Sequence, residues 1–388
     1  MKVDKTKWEK KTLGEICSIK RGASPRPIKK FITDAQEGVN WIKIGDTGES
    51  KYISSCKERI IPEGVSKSRF VRKGDLLLSN SMSFGHPYIL NVDGCIHDGW
   101  LVLEKPTSFD TNFMYYLLSS DKTYKEFSKR AKGAVVNNLN IELVSSVLVS
   151  YPPLSEQSAI ASELDNLQTV IDGYKAQLAD LDALAQSVFL EMFGDPVGNP
   201  KGWECYRLDS ICKTTAGGTP SKSKTENYSN GTINWLRSGE VNKHYIISTE
   251  LKISNIGLNN SSAKVLPPNT VVVAMYGATA GQVGILKIES STNQAVCGIL
   301  PSSSISHEYL YFTILLLNTE IVKQAEGVAQ PNISQGIIKA LNIPLPPLPL
   351  QNQFASRVEA IEKQKEQIRQ QLKDAETLMA ERMQYYFG

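Results

Sequence analysis

The sequence predicts an α+β protein: two homologous mixed α/β modules separated by two long antiparallel coiled-coil helices, arranged as a pseudo-two-fold internal repeat. Three observations lead there. Landmark residues recur at a nearly constant offset. Each repeat reads first as short strands and turns, and each then changes to a seven-residue apolar repeat. At 388 residues the chain is long enough for about two to three domains with cores of their own.

The repeat is explicit in the residues. Trp8, Leu13, Ile16 and Cys17 return as Trp203, Leu208, Ile211 and Cys212, and Gly22-Ala23-Ser24-Pro25 returns as Gly217-Gly218-Thr219-Pro220. Trp41-Ile42-Lys43-Ile44-Gly45-Asp46 returns as Trp235-Leu236-Arg237-Ser238-Gly239-Glu240. Further on, Gly133 and Asn138 match Gly327 and Asn332, and Pro152-Pro153-Leu154 with Gln157 matches Pro346-Pro347-Leu348 with Gln351. Phe193-Gly194 matches Phe387-Gly388. A period of about 194 residues is too long for a solenoid, so each half is a domain with its connecting element.

The first module takes residues 1–152. Asp75-Leu76-Leu77-Leu78 behind Lys73-Gly74 reads as a strand, as does Val271-Val272-Val273-Ala274 behind Pro267-Pro268-Asn269 in the second module, residues 203–346. Short helices are expected over Phe113–Leu118 and Tyr309–Leu317. Pro152-Pro153 and Pro346-Pro347 close the modules, because a proline ring cannot continue a strand ladder.

Two helices follow, over 153–193 and 347–388. In the first, Ile160, Leu164, Leu167, Ile171, Tyr174, Leu178, Leu181, Ala185, Val188 and Met192 alternate spacings of four and three, a coiled-coil seam. In the second, Phe354, Val358, Ile361, Ile368, Leu372, Ala375 and Met379 repeat the seam, with Lys365 and Arg382 at polar seam positions. Ser155, Gln157 and Ser158 are N-cap candidates. About 37 helical residues span roughly 55 Å, more than a small domain can enclose. The stripes are expected to pack on each other, leaving apolar surface for docking a partner. Residues 194–202, rich in Gly and Pro, form the linker.

The 41% hydrophobic and 21% charged content exclude disordered and collagen-like classes. No apolar run has the 18–20 residues or so of a membrane span, and Met1–Lys7 has no apolar core behind it, so a soluble, cytoplasmic protein is expected. Six scattered cysteines without a C-x-x-C pair read as reduced thiols, and Cys95 and His97 have no second cluster to complete a zinc site, so no metal is expected. The net charge of +3 does not announce a nucleic-acid protein, although residues 1–30 carry ten Lys/Arg against three acids.

No catalytic constellation is found. There is no phosphate loop, and Gly277–Gly284 lacks the dinucleotide-binding spacing and reads as a glycine-rich turn. His97-Asp98 reads as structural hydrogen bonding ahead of acid–base chemistry. What recurs is chemistry for reading polar surfaces: a Gly-x-[Ser/Thr]-Pro turn and a Trp-x-[Lys/Arg]-x-Gly-[Asp/Glu] turn. Arg and Lys read guanine, Asn and Gln adenine, Asp and Glu cytosine, and Ser and Thr several bases. The candidate DNA-binding residues of the first module are Arg21, Ser24, Arg26, Lys43, Asp46, Ser79, Asn80, Ser83, His86 and Asn138. Those of the second are Thr219, Ser221, Lys222, Arg237, Glu240, Tyr276, Thr279, Gln294 and Asn332. The frame is retained while the polar tips change, as expected of two readers of different short sequences.

The doubled layout, Gly-Asn-Pro-Lys-Gly-Trp at 198–203 and Pro-Pro-Leu-Ser-Glu-Gln at 152–157 resemble the specificity subunits of type I restriction–modification enzymes. So do Phe84-Gly85-His86-Pro87-Tyr88-Ile89, Cys95-Ile96-His97-Asp98-Gly99-Trp100 and Gly218-Thr219-Pro220. The resemblance implies that the modules are target recognition domains, each reading one half of a bipartite site in double-stranded DNA. It implies that the helices set the spacer and dock two methyltransferase subunits through Ile160, Leu164, Leu167, Ile171, Leu178, Leu181, Phe354, Val358, Ile361, Ile368 and Leu372. It also implies a non-catalytic chain without a cofactor of its own. S-adenosylmethionine would belong to the methyltransferase, and translocation and cutting to a separate restriction subunit. Two alternatives stay open: a specificity subunit of a related two-subunit restriction–methylation enzyme, and a coiled-coil adaptor with two ligand modules that binds no nucleic acid.

Overall fold

The computed structural model describes residues 3–81, 84–131, 138–323 and 332–388. The chain divides into two units, Met1–Lys175 with Gln370–Gly388, and Ala176–Arg369. Each holds one module and a stretch of both long helices, Leu154–Phe193 and Leu348–Phe387.

The main sheet repeats strand for strand in the two units, whereas the second sheet has five strands in the first and three in the second. In the first unit Ser18–Arg21, Trp100–Glu104, Leu76–Ser79, Pro87–Leu90 and Tyr52–Ile53 lie side by side in that order. The second unit has Thr214–Ala216, Val296–Ile299, Val271–Ala274, Val283–Leu286 and Tyr245–Ile246 in the same order. In both sheets the last strand pairs parallel to its neighbour, Tyr52 with Ile89 and Tyr245 with Ile285. A second sheet centres on Val39–Ile42 in one unit and Ile233–Leu236 in the other, and a two-stranded ribbon joins each module's beginning to its end. The expected strands and helices are present, the helices being longer than the apolar runs that signalled them: Thr111–Ser119 and His307–Lys323.

Every seam position named above is buried or half-buried. Ile160 and Leu164, from the start of the first helix, lie in the core of the first module, together with Tyr386 and Phe387 from the end of the second helix. The second unit mirrors this, with Phe354 and Val358 from the start of the second helix and Phe189 and Phe193 from the end of the first. Phe387 packs on Phe113 at 5.5 Å, and Phe193 packs at 4.8 Å on Tyr309, the equivalent position. The recurring Phe-Gly is therefore where each helix ends inside a module core. The helices run antiparallel within each unit: Glu163 bonds to Arg382 at 3.1 Å and to Tyr386 at 2.8 Å, and Asp182 meets Lys365 at 2.6 Å.

Two buried glutamines lock the helix starts. Gln157 Nε2 donates to the Pro152 carbonyl at 2.9 Å while its Oε1 accepts the Asp110 N–H at 3.0 Å. Gln351 repeats this with the Pro346 carbonyl at 2.7 Å and the Ser306 N–H at 2.8 Å. Each amide satisfies two backbone groups that burial would otherwise strand.

Phe189 is fully buried among Phe193, Tyr309, Phe312 and Phe354 at ring distances of 5.0 to 6.0 Å. Phe189→Ala is expected to cost about 3–5 kcal/mol by lost burial and an uncollapsed cavity. Leu190→Ala, at a 41% exposed neighbour, should stay within about 0.5 kcal/mol. Urea denaturation of the two variants checks this.

Candidate nucleic-acid interface

The Gly-x-[Ser/Thr]-Pro turn lies against the loop that follows the strand Gly94–Ile96. A Cβ on Gly22 would sit 2.1 Å from the His97 carbonyl oxygen, and one on Gly217 would sit 2.2 Å from that of Asn293. Only glycine allows this approach, which is why it recurs. The approach brings the turn hydroxyl onto the tip of the loop. Ser24 Oγ donates to Asp98 Oδ1 at 2.7 Å, and Thr219 bonds to Gln294 in the same place. One acceptor position thus carries a carboxylate in the first module and an amide in the second.

Around Asp98 the first module forms an open groove of about 1160 Å³, with Ser24, Arg26, Lys29, Trp41, Lys43 and His97 among its lining. Arg26 reaches Asp98 at 3.7 Å, and Arg21 Nε donates to the Asp98 carbonyl at 2.9 Å. The Ile44 N–H donates to His97 Nε2 at 3.1 Å. Burial pulls His97 below the ordinary imidazole value despite the nearby Asp98 charge, so at neutral pH it serves as a neutral acceptor. The Ser24 hydroxyl bond lowers the pKa of the Asp98 carboxyl, while Lys43 is bound to Glu58.

The Trp-x-[Lys/Arg]-x-Gly-[Asp/Glu] turn is built the same way twice. Asp46 caps its own turn by accepting the Lys43 N–H at 2.8 Å and also takes the Lys57 N–H at 3.2 Å. Glu240 accepts the Arg237 N–H at 3.1 Å and the Glu250 N–H at 2.8 Å. Lys43 pairs with Glu58 and Arg237 with Glu250. The acids of this motif are occupied by backbone, and the bases stand at the surface in exposed or half-exposed ion pairs.

Ser79 and Asn80, taken above as surface readers, are only 1% exposed. They face inward because they continue the central strand. Ser79 Oγ takes the His86 N–H at 3.0 Å, and Asn80 Nδ2 donates to the Asp98 carbonyl at 3.0 Å, bracing the loop from below. Ser83 lies outside the described residues. His86 is exposed beside Tyr124 at 5.6 Å. Asn138 and Asn332 are exposed, each next to a residue that pairs with the loop entry: the Leu139 N–H with the Asn80 carbonyl at 2.9 Å, and the Ile333 N–H with that of Met275 at 2.8 Å.

In the second module Tyr276 is exposed and Thr279 sits in the short turn Gly277–Thr279, the expected glycine-rich turn. Gly85 and Gly281 take the same left-handed conformation, φ +81° and +87°, at the far ends of the two equivalent loops. Ser221 and Lys222 are exposed beyond Pro220, where Tyr228 donates to the Pro220 carbonyl at 2.6 Å. Asp98 is the functional candidate missing from the sequence-derived set. Its equivalence to Gln294 was available from the repeat, offset by two residues' worth of drift.

The helix seam also has a definite place. Ile160, Leu164, Phe354, Val358 and Ile361 sit in the chain's own cores, and Leu167, Leu178, Leu181, Ile368 and Leu372 are half-buried. Ile171 is 4% exposed, whereas Val170, Leu184, Leu190 and Leu378 are at least 40% exposed. Surface left for a partner therefore lies off the seam. Among the described residues no helix is long and apolar enough to cross a membrane.

A family model described as the type I restriction modification DNA specificity domain matches the chain twice, over residues 5–182 and 200–375. The MjaIX type I restriction enzyme specificity subunit of Methanocaldococcus jannaschii is 24% identical over 379 residues, covering 91% of this chain and 86% of the relative. The EcoBI specificity subunit of Escherichia coli is 22% identical over 409 residues, covering 95% and 82%. Among solved structures, the S subunit of the type I system of M. genitalium gives a TM-score of 0.57 at 15% identity, covering 99% of this chain and 97% of that one. A chain from a study of assembly and conformational transition in the type I R-M system gives 0.60 at 20% identity, covering 100% and 99%. These structural likenesses carry the fold, and the doubled family match carries the family. The chain belongs to the type I restriction–modification DNA specificity family and holds two copies of its domain.

Proposed function

We propose that each module reads one half of a bipartite DNA target, that the paired helices set the separation of the halves, and that the helices dock two methyltransferase subunits. The observation that carries the reading is the exchange of Asp98 for Gln294 at one position of an otherwise repeated frame. A carboxylate accepts from the cytosine amino group, while an amide both donates and accepts, as adenine requires. Arg21, Arg26 and Lys43 beside Asp98, and the exposed or half-exposed Lys222 and Arg237 of the second module, serve on this reading as phosphate or base contacts. S-adenosylmethionine and the transfer chemistry belong on this reading to the methyltransferase, translocation and cleavage to a restriction subunit, and the site of action is the cytoplasm.

Methylome sequencing of cells expressing the chain with its cognate methyltransferase tests the reading directly, the expected result being a motif of two short specified halves around an unspecified spacer. A continuous motif, or none, would overturn it. Asp98→Ala should relax one base of one half-site by about 1–3 kcal/mol of discrimination, and Gln294→Ala one base of the other half alone. Competition binding with singly substituted duplexes measures both. Inserting four residues midway along Leu154–Phe193 adds about 6 Å of helix, and should lengthen the spacer in the methylome by roughly one or two base pairs at 3.4 Å each.

A further inference from the structure

A cation sits between module and long helix at the same place in both units. It directly precedes the tyrosine that opens the last strand of the main sheet, as Lys51-Tyr52 in one and His244-Tyr245 in the other. Lys51 Nζ bonds to Asn112 Oδ1 at 3.0 Å on the module helix and to Asp165 on the first long helix, and Tyr116 donates to the same Asp165 at 2.5 Å. His244 Nε2 lies 2.8 Å from Glu308 on the module helix, and its Nδ1 lies 3.0 Å from Glu362 on the second long helix. Asn112 and Glu308 are both the second residue of their helices.

We propose, resting on the recognition reading above, that Lys51 and His244 are equivalent positioning residues. Each pins its module to its helix so that the loops face the half-site, and only the His244 pin is released at alkaline pH.

The chemistry of the second site supports the difference. A ring bonded to two carboxylates through both nitrogens must donate from both, so it is the imidazolium. Its side chain is only 8% exposed, and it stacks between Tyr245 and Tyr311, each at 4.2 Å. The charged groups around it are numerous. His307 and Glu308 come from the module helix, Lys287 from beyond Val283–Leu286, Glu359, Glu362, Lys365 and Arg369 from the second long helix, and Asp182 from the first. Burial favours the neutral ring, but the bonds and charges of Glu308 and Glu362 outweigh it and raise His244 above the ordinary 6.5.

Since the folded ring holds its proton more tightly than the unfolded one, the pin is at full strength below a pH of about 6.5 and is lost as pH rises through the higher folded value. A neutral ring can donate to one carboxylate only. Glu308 sits on the same module as the ring and keeps Tyr245 at 2.8 Å, and Glu362 keeps Lys365 at 2.6 Å, so the bond to Glu362 is the one whose loss unlinks module and helix. The two pins differ in kind, an ammonium in one unit and an imidazole in the other.

The test uses the full chain with its methyltransferase, on duplexes with either half-site scrambled, between about pH 6 and pH 9. Preference for the intact second half-site should fall about tenfold or more across this range while preference for the first stays level. His244→Lys should flatten the profile, and Lys51→His should transfer it to the first half-site. Equal pH responses at both halves, or an unchanged profile in His244→Lys, would overturn the proposal. If His244→Lys does not fold, Lys51→His carries the test alone. Hydrogen exchange on the DNA-free complex separates the two readings. Protection of His307–Lys323 should drop over the same pH range in the parent and not in His244→Lys. A retained exchange step without a bipartite motif would sink the recognition reading and leave the pin.

Discussion

Neither module closes its core without the long helices. Phe113 in the first unit needs Phe387 at 5.5 Å, and Tyr309 in the second needs Phe193 at 4.8 Å and Phe189 at 5.4 Å. Aromatic side chains of this size bury a large apolar area each, and the edge-to-face packing of Phe193 on Tyr309 adds geometric preference. Each helix begins in the core of one module and ends in the core of the other. A helix end that is itself part of a core cannot slide or rotate without opening that core.

That constraint explains where variation is permitted. The strand order, the glutamine locks and the glycines of close approach repeat because each maintains the core or the backbone path beneath the tips. Beyond them, Asp98 and Gln294, or Arg26 and Ser221, differ between the modules, and these side chains are exposed or half-exposed beside loop atoms and solvent. Binding sites on loops above a rigid frame follow the same economy of structure.

Periodicity made the frame legible in the sequence. The landmark spacing gave two modules, the 3.5-residue stripe gave the helices, and both Gln157 and Phe193 had visible twins. Phe189 escaped because it lies outside the strict stripe, where the apolar face widens as the helix enters a core. Ser79 and Asn80 misled because a polar run after an apolar strand looks like a surface loop, yet hydrogen bonds to His86 and Asp98 turn both inward. The pins were hidden differently. A lysine and a histidine do not resemble each other, and their equivalence rests on the tyrosine that follows each one and on the strand pairing.

The near-neutral charge also has a structural reading. Lys20 with Glu104, Arg26 with Asp98, Lys43 with Glu58 and Arg237 with Glu250 pair bases and acids at or near the reading loops. Exposed pairs contribute about 0–1 kcal/mol each, so a phosphate or a base edge displaces the partner acid at little cost. Lys365, 5% exposed and paired with the 8% exposed Glu362, is the opposite case, because removing one partner of a buried pair costs about 3–5 kcal/mol. The same residue types therefore divide by burial into two roles. Exposed charges at the tips are exchangeable and suit ligand contact, while buried charges such as Lys365 and Glu362 maintain the geometry. Net charge sums over both, and for that reason says little about whether such a chain meets nucleic acid.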